Sequence, residues 1–186
     1  INKENRDRMA LEQKRFTANA MVTGATASAV VVGAVPLSIS DSKLLVPLEI
    51  GMTKAIFRIY GIEFKSDLVS AIVDSALIGN VAKVALAQLK AIPNIAASVL
   101  NAAVAGLIVG ALGEAVIAIS ENIYRGKLDP SKVEDIVNFI SDKMKNNPII
   151  GAAISYLIAN ANKLKDKDVK TAFNEVQKAV AKAAKA

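Results

Sequence analysis

Two stretches of this chain carry no charge at all: residues 16–40, a run of 25, and residues 91–113, a run of 23. Stretches that long without a charged side chain must be covered by protein on most sides or meet something other than water. Small residues recur in both at four-residue spacing. In the first they are Ala20, Gly24 and Ser28, with Ala25, Ala29 and Gly33 beside them; in the second Ala102, Gly106 and Gly110, with Gly113 a turn further on. That spacing lines up one side of a helix and lets a neighbouring backbone approach closely. Apolar residues make up 53% of the chain but aromatics only 4%, with no Trp, so the apolar content is Ala, Val, Ile and Leu. That composition suits close-packed helices better than a β-sandwich. We therefore expect an all-α fold, a compact bundle of six to seven helices with a central apolar hairpin of small residues.

Helical period dominates the rest of the chain. Residues 2–15 form a polar, charge-laced lead-in, and residues 44–60 a helix that Gly61 is well placed to stop. Ser66 suits the N-cap of a helix from Asp67 to about Lys90, which Pro93 breaks. The second uncharged run continues to about Tyr124. Asp129-Pro130 has the form of an N-cap followed by proline at the first helical position. Asn146-Asn147-Pro148 ends that helix, residues 149–164 form another, and residues 169–186 a last helix rich in Lys and Ala. Only the short 30–32 segment reads as a strand. The expected hairpin pairs residues 67–90 with 95–124. The organisation expected is a helical lead-in over 1–15, an apolar core over 16–128 and a C-terminal extension over 129–186. The chain opens on Ile1 rather than Met, as a piece of a longer protein would. Residues 1–15 are too charged to serve as a cleavable signal peptide.

Charge is concentrated at the ends. Of the net +6, residues 1–15 hold +2 and residues 163–186 hold +4, while the body is neutral. Basic ends around a neutral apolar body suit an anionic membrane surface. Lys178, Lys182 and Lys185 form the stripe that would touch lipid or a partner, and a solvated helix face accounts for the same pattern. No dense basic patch with interleaved aromatics points to nucleic acid. Both uncharged runs are long enough to span a bilayer. Their Ser, Thr, Asn and Gly content opposes insertion, Pro36 and Pro93 interrupt them, and no Trp or Tyr belts flank them. A membrane-embedded hairpin and a soluble helical core both remain open on this evidence.

With no His and no Cys, the chain lacks the commonest general base, the commonest zinc ligands and any disulfide. We expect no catalytic centre, no metal and no cofactor. Four acidic residues sit in apolar surroundings: Asp41, Glu49, Asp74 and Glu114. Asp41 suits a cap for a helix starting at Ser42 or Lys43, and Glu49 a partner for Lys54 or Arg58. Glu114 is the candidate buried charge: it must pair, with Lys83 or Lys90 on the preceding helix as natural partner, reach water at an exposed edge, or stay protonated. Met52 and Tyr60 fit core positions, and Gly106, Gly110 and Gly113 fit helix packing.

Several of these residues also fall into two ordered signatures. Pro36, Asp41, Leu44-Leu45-Val46-Pro47, Gly51-Met52 and Ile59-Tyr60-Gly61 form the first. Leu89-Lys90-Ala91-Ile92-Pro93, Ala102-Ala103-Val104-Ala105-Gly106, Gly113-Glu114-Ala115 and Ile123-Tyr124-Arg125-Gly126-Lys127 form the second. Together they resemble a bacterial helical domain of uncharacterised function that follows Era- or dynamin-type GTPase domains. The likeness covers residues 11–129, and the basic lead-in Glu12-Gln13-Lys14-Arg15 resembles the joint after such a GTPase. Departures are Pro36-Leu37-Ser38 in place of Pro-Ile-Pro, Glu49 where Gln is common, and Asn94-Ile95-Ala96 in place of a glycine-containing turn.

The resemblance implies a non-catalytic, membrane-associating or oligomerising regulatory domain, partnered in cis by a GTPase domain, at the cytoplasmic face of the membrane. It implies an anionic membrane and a second copy as further partners. The chain itself has no phosphate-cradling loop; Gly51-Met52-Thr53-Lys54 lacks the glycine-rich run. A soluble protein-interaction bundle and a pore-forming, toxin-like helical protein are the alternatives.

Overall fold

The computed structural model describes residues 2–33, 45–78, 97–145 and 147–184. Among the described residues there are eight helices: α1 Lys3–Gly33, α2 Val46–Ile59, α3 Ser66–Ile78, α4 Ala97–Tyr124, α5 Val133–Lys145, α6 Pro148–Ala159, α7 Ala161–Leu164 and α8 Val169–Ala184. The fold is all-α, with no strand among the described residues. Pro36, Asp41, Lys83, Lys90, Pro93 and Lys185 lie outside the described residues, and with them the expected Asp41 cap and the Glu114–Lys83/Lys90 pairing.

α4 is the axis of the bundle because its sequence is apolar on every side, and such a helix must be surrounded. It packs against α1, α2, α5, α6 and α8. Val109, Leu112, Val116 and Ile119 are completely buried along it. Its principal partner is α1, which runs antiparallel to it. Arg15 of α1 meets Glu121 near one end of the pair, and Val30 lies beside Gly106 near the other. Residues 79–90 of the expected central hairpin, and the turn that would close it, lie outside the described residues. Among the described residues α3 packs on α2 and α5, and the long partner of α4 is α1. Glycines on α4 let it come near: Val30, Thr26 and Val22 on α1 stand over Gly106, Gly110 and Gly113, so two long backbones come close.

α1 is one unbroken helix, opened by Asn2, whose Oδ1 accepts the Asn5 N–H at 2.8 Å. It runs straight through the join expected at residues 15 and 16. The segment 30–32 is its last turns, not a strand, since three β-branched residues do not break a helix already nucleated.

Glycine closes two helices in the same way. Gly61 and Gly126 take φ of 71° and 72°. The Ile62 N–H bonds to the Phe57 carbonyl at 2.8 Å and the Lys127 N–H to that of Asn122 at 2.8 Å, each capping the end of its helix. Asp129 departs from the expected N-cap. Its Oδ1 accepts from the Ser131 N–H and hydroxyl at 2.9 and 2.7 Å, which closes a local turn, and α5 starts only at Val133. Asn160 splits the expected 149–164 helix by bonding its side-chain amide to the Tyr156 carbonyl at 2.9 Å. Asp168 caps α8 through the Thr171 N–H at 2.8 Å.

The C-terminal helices belong to the same core as the rest. Ile140, Leu157, Leu164 and Val176 are fully buried in one cluster with Val69, Ile72 and Leu112. Helices α5, α6 and α8 thus share in covering α4.

Candidate functional site

Three features of this bundle exceed what packing requires: an exposed uncharged face, a three-helix polar clamp and a buried unpaired acid.

The face is the outer side of α1. Phe16 is 77% exposed and Met21 40%. Ala20, Thr23, Gly24, Ala27 and Ser28 are exposed beside them, with no charged side chain among them. A methyl group added at Gly24 would meet nothing within 4 Å. The hydroxyls of Thr17, Thr23 and Ser28 each bond back to the carbonyl four residues earlier, at 3.1, 2.9 and 3.1 Å. Each therefore already has a partner without water. The Ala20/Gly24/Ser28 ladder lies on this outer face, while Ala25 and Ala29 turn inward.

The clamp joins α1, α2 and α4 at one end of the bundle. Arg15 holds Glu121 through Nε and Nη2 at 2.6 and 2.8 Å, and the Tyr60 hydroxyl donates to Glu121 at 3.1 Å. Lys14 Nζ donates to the Ile59 carbonyl at 2.9 Å and sits 5.5 Å from the Tyr124 ring centre. The Arg15 hydrogen bond holds the Glu121 carboxyl below its ordinary range, and burial beside that carboxylate raises the Tyr60 phenol. Lys14 and Arg15, read in the sequence as part of a lead-in, are therefore working parts of the bundle. Glu121 went unnoticed because its partners lie 61 and 106 residues away.

The acid is Glu49. It is completely buried, and neither oxygen has a hydrogen-bond partner; the Thr53 hydroxyl, one turn on, is also buried and unbonded. This corrects its expected pairing with Lys54 or Arg58. Those residues stand five and nine positions on, about 140° and 180° round the helix. Burial pushes the Glu49 carboxyl up to about 8, and the charge of Asp74 on α3 adds to the shift. A signal for this was present: Met52, Tyr60, Ile56 and Phe57 define a stripe whose spacing, continued backwards, lands on Glu49.

Glu114 takes the exposed-edge alternative. Its side chain is exposed, at the rim of two clefts. One, of about 390 Å³, runs between α1, α4 and α8 past Thr26, Gly110 and Phe173; the other, of about 560 Å³, reaches Phe139 and Asp142 on α5. Partial loss of water there holds the Glu114 carboxyl above its ordinary range. Gly106 and Gly113 sit where a methyl group would come within 2.5 Å of the Phe173 ring and 2.6 Å of Val22. Tyr60 and Met52 are core residues at 3% and 2% exposure, and Gly61 is the α2 stop. Pro47 lies in the first turn of α2. Lys178 and Lys182 are both exposed on α8.

Among the described residues no cluster of three or more Asp, Glu, His or Cys side chains offers a metal site. By fold and site the molecule is an all-α helical bundle with an uncharged outer helix face. Comparison with protein-family models, curated proteins and solved structures finds no match.

Proposed function

We propose that this is a non-catalytic association domain that attaches to a membrane surface through the outer face of α1, in the service of a GTPase domain on the same polypeptide. The observation that carries the reading is the uncharged exposed face from Phe16 to Ser28, whose hydroxyls already have backbone partners. Removing such a face from water is cheap, because no charge and few unpaired polar groups are desolvated. The basic residues Arg6, Arg8, Lys178 and Lys182 are exposed and add attraction to anionic headgroups. The two ordered signatures in the sequence support the link to a GTPase. Among the described residues one helical stretch, Ala105–Tyr124, is long and apolar enough to cross a bilayer, but its window is 67% buried inside the bundle. Attachment in the folded state therefore falls to α1.

Flotation with neutral and anionic vesicles tests the proposal. The chain is expected to float with anionic vesicles, and Phe16→Asp with Met21→Asp to abolish flotation while thermal unfolding stays cooperative. Flotation unchanged by the double substitution would remove α1 from the role. A chain that stays in the soluble fraction at every lipid composition would overturn the membrane reading. Light scattering on the same samples shows whether the face instead joins two copies.

A further inference from the structure

We propose that Glu49 makes α2 a proton-controlled latch: neutral, it leaves the helix docked; ionised, it drives the N-terminal part of α2 out of the bundle.

The geometry sets up this behaviour. Both Glu49 oxygens and the Thr53 hydroxyl lie on the buried side of α2 with no hydrogen-bond partner. Three polar atoms are thus held out of water on a single helical turn. Each would gain water if that turn moved outward, which is a standing bias toward release. The docked state tolerates the carboxylic acid far better than the carboxylate, because an unpaired buried charge is the costlier of the two.

The elements around α2 offer the carboxylate no relief among the described residues. From α3 the nearest charge is Asp74, which repels it. From α1, Lys14 bonds to the Ile59 carbonyl and Arg15 to Glu121, both at the opposite end of α2. From α4, Glu121 is held by Arg15 and Tyr60, and Glu114 opens into the clefts beside α5 and α8. On α2 itself, Lys54 and Arg58 line a separate cavity with Phe57, Ile62 and Phe64. Burial accordingly pushes the acid up to about 8.

The clamp decides which end moves. Tyr60 is tied to Glu121, and the helix ends there in the glycine turn at Gly61. Glu49 sits eleven residues earlier, about 16 Å along the axis. Charge placed there acts at the end of α2 away from the clamp.

Because the chain has no cysteine, single thiols can report the motion. Met52→Cys places one on the docked face of α2, and Ile140→Cys places a control on α5, in the chain with Glu49 and in Glu49→Gln. Labelling rates are divided by those of the same thiol in denaturant, which removes the thiol's own titration. With Glu49 present, the α2 thiol is expected to open about tenfold more per pH unit, roughly 100-fold between pH 5.5 and 7.5. With Glu49→Gln that slope vanishes, and the α5 thiol stays protected in both backgrounds. Equal slopes in the two backgrounds would overturn the latch. So would an α5 thiol no better protected than the α2 thiol, because α2 would then be released only by unfolding of the whole bundle. A carbon-detected titration of the Glu49 carboxyl in the otherwise unaltered chain gives a second check. A midpoint in the ordinary carboxylate range would also sink the proposal.

Discussion

A carboxyl group buried with both oxygens unbonded ties the stability of the fold to proton concentration. The ordinary pKa of Glu49 is 4.5, and burial raises it to about 8 in the folded chain. Below the lower value both folded and unfolded chains hold the proton, so stability is fully present. Between the two the unfolded chain ionises first, and stability falls by about 1.4 kcal/mol per pH unit until the folded value is reached. The whole window amounts to a few kcal/mol, on the order of 5 as a ceiling. Urea unfolding of the wild type should therefore lose midpoint steadily from pH 5 to pH 8, and Glu49→Gln should flatten that decline. Glu49→Leu should raise stability at pH 7.5 by about 1–4 kcal/mol, since an apolar group in place of an unpaired buried acid removes the penalty. An unchanged midpoint would mean that Glu49 has a partner in solution. Glu121 works in the opposite sense and a lower window. Its depressed pKa contributes stability above the ordinary carboxylate range, lost as pH falls through its folded value. Arg15 is 45% exposed, so solvent screening keeps that contribution to about 1 kcal/mol or less.

Helix α1 lies against α4 so closely that glycines decide the spacing, and they do not all matter alike. Gly113→Ala places a methyl 2.6 and 2.7 Å from the Val22 methyls and 3.2 Å from the Met52 sulfur. Overpacking of that kind costs about 1–3 kcal/mol, more than the ~1 kcal/mol alanine gains in helix propensity. Gly110→Ala meets only Thr26 Oγ1, at 3.4 Å, and Gly24→Ala meets nothing. Thermal melts should therefore rank Gly24→Ala above wild type, Gly110→Ala near it and Gly113→Ala below it. If Gly113→Ala were stabilising, the two helices would have to sit further apart than described here. Gly61→Ala should cost about 1 kcal/mol for a different reason: its φ of 71° is left-handed, and a side chain is strained there whatever the space.

The whole molecule hangs on α4, and every covering helix is needed to keep that axis from water. Phe173 of α8 fills the hollow over Gly106, and Ile136, Ile140 and Met144 of α5 are buried in the same core. Residues 1–128 alone should accordingly lose the cooperative thermal transition and bind a hydrophobic dye. A truncated chain that melts sharply would support a division at residue 129. Surface substitutions at Phe16 and Met21 should shift stability by no more than about 0.5 kcal/mol, because neither fills the core. Lipid attachment and folding are thus separable by mutation.

The all-α class, the apolar centre and the glycine stop at Gly61 were legible from local pattern. Period, composition and turn chemistry act over a few residues, and they were enough to place the last helix from residue 169. Which helix lies beside which was not legible. The packing of α1 on α4 rests on surfaces complementary across some 80 residues of chain. The same limit hid the Arg15–Glu121–Tyr60 clamp, and it exchanged the roles of two acids. Glu49 and Glu114 are alike in local sequence, each a lone carboxylate amid apolar residues. One is sealed inside and the other opens into solvent, because burial depends on the helices that cover a residue and not on its neighbours along the chain. The sequence by itself determined the elements and their apolar content. Only the tertiary structure decided which charge must live without water.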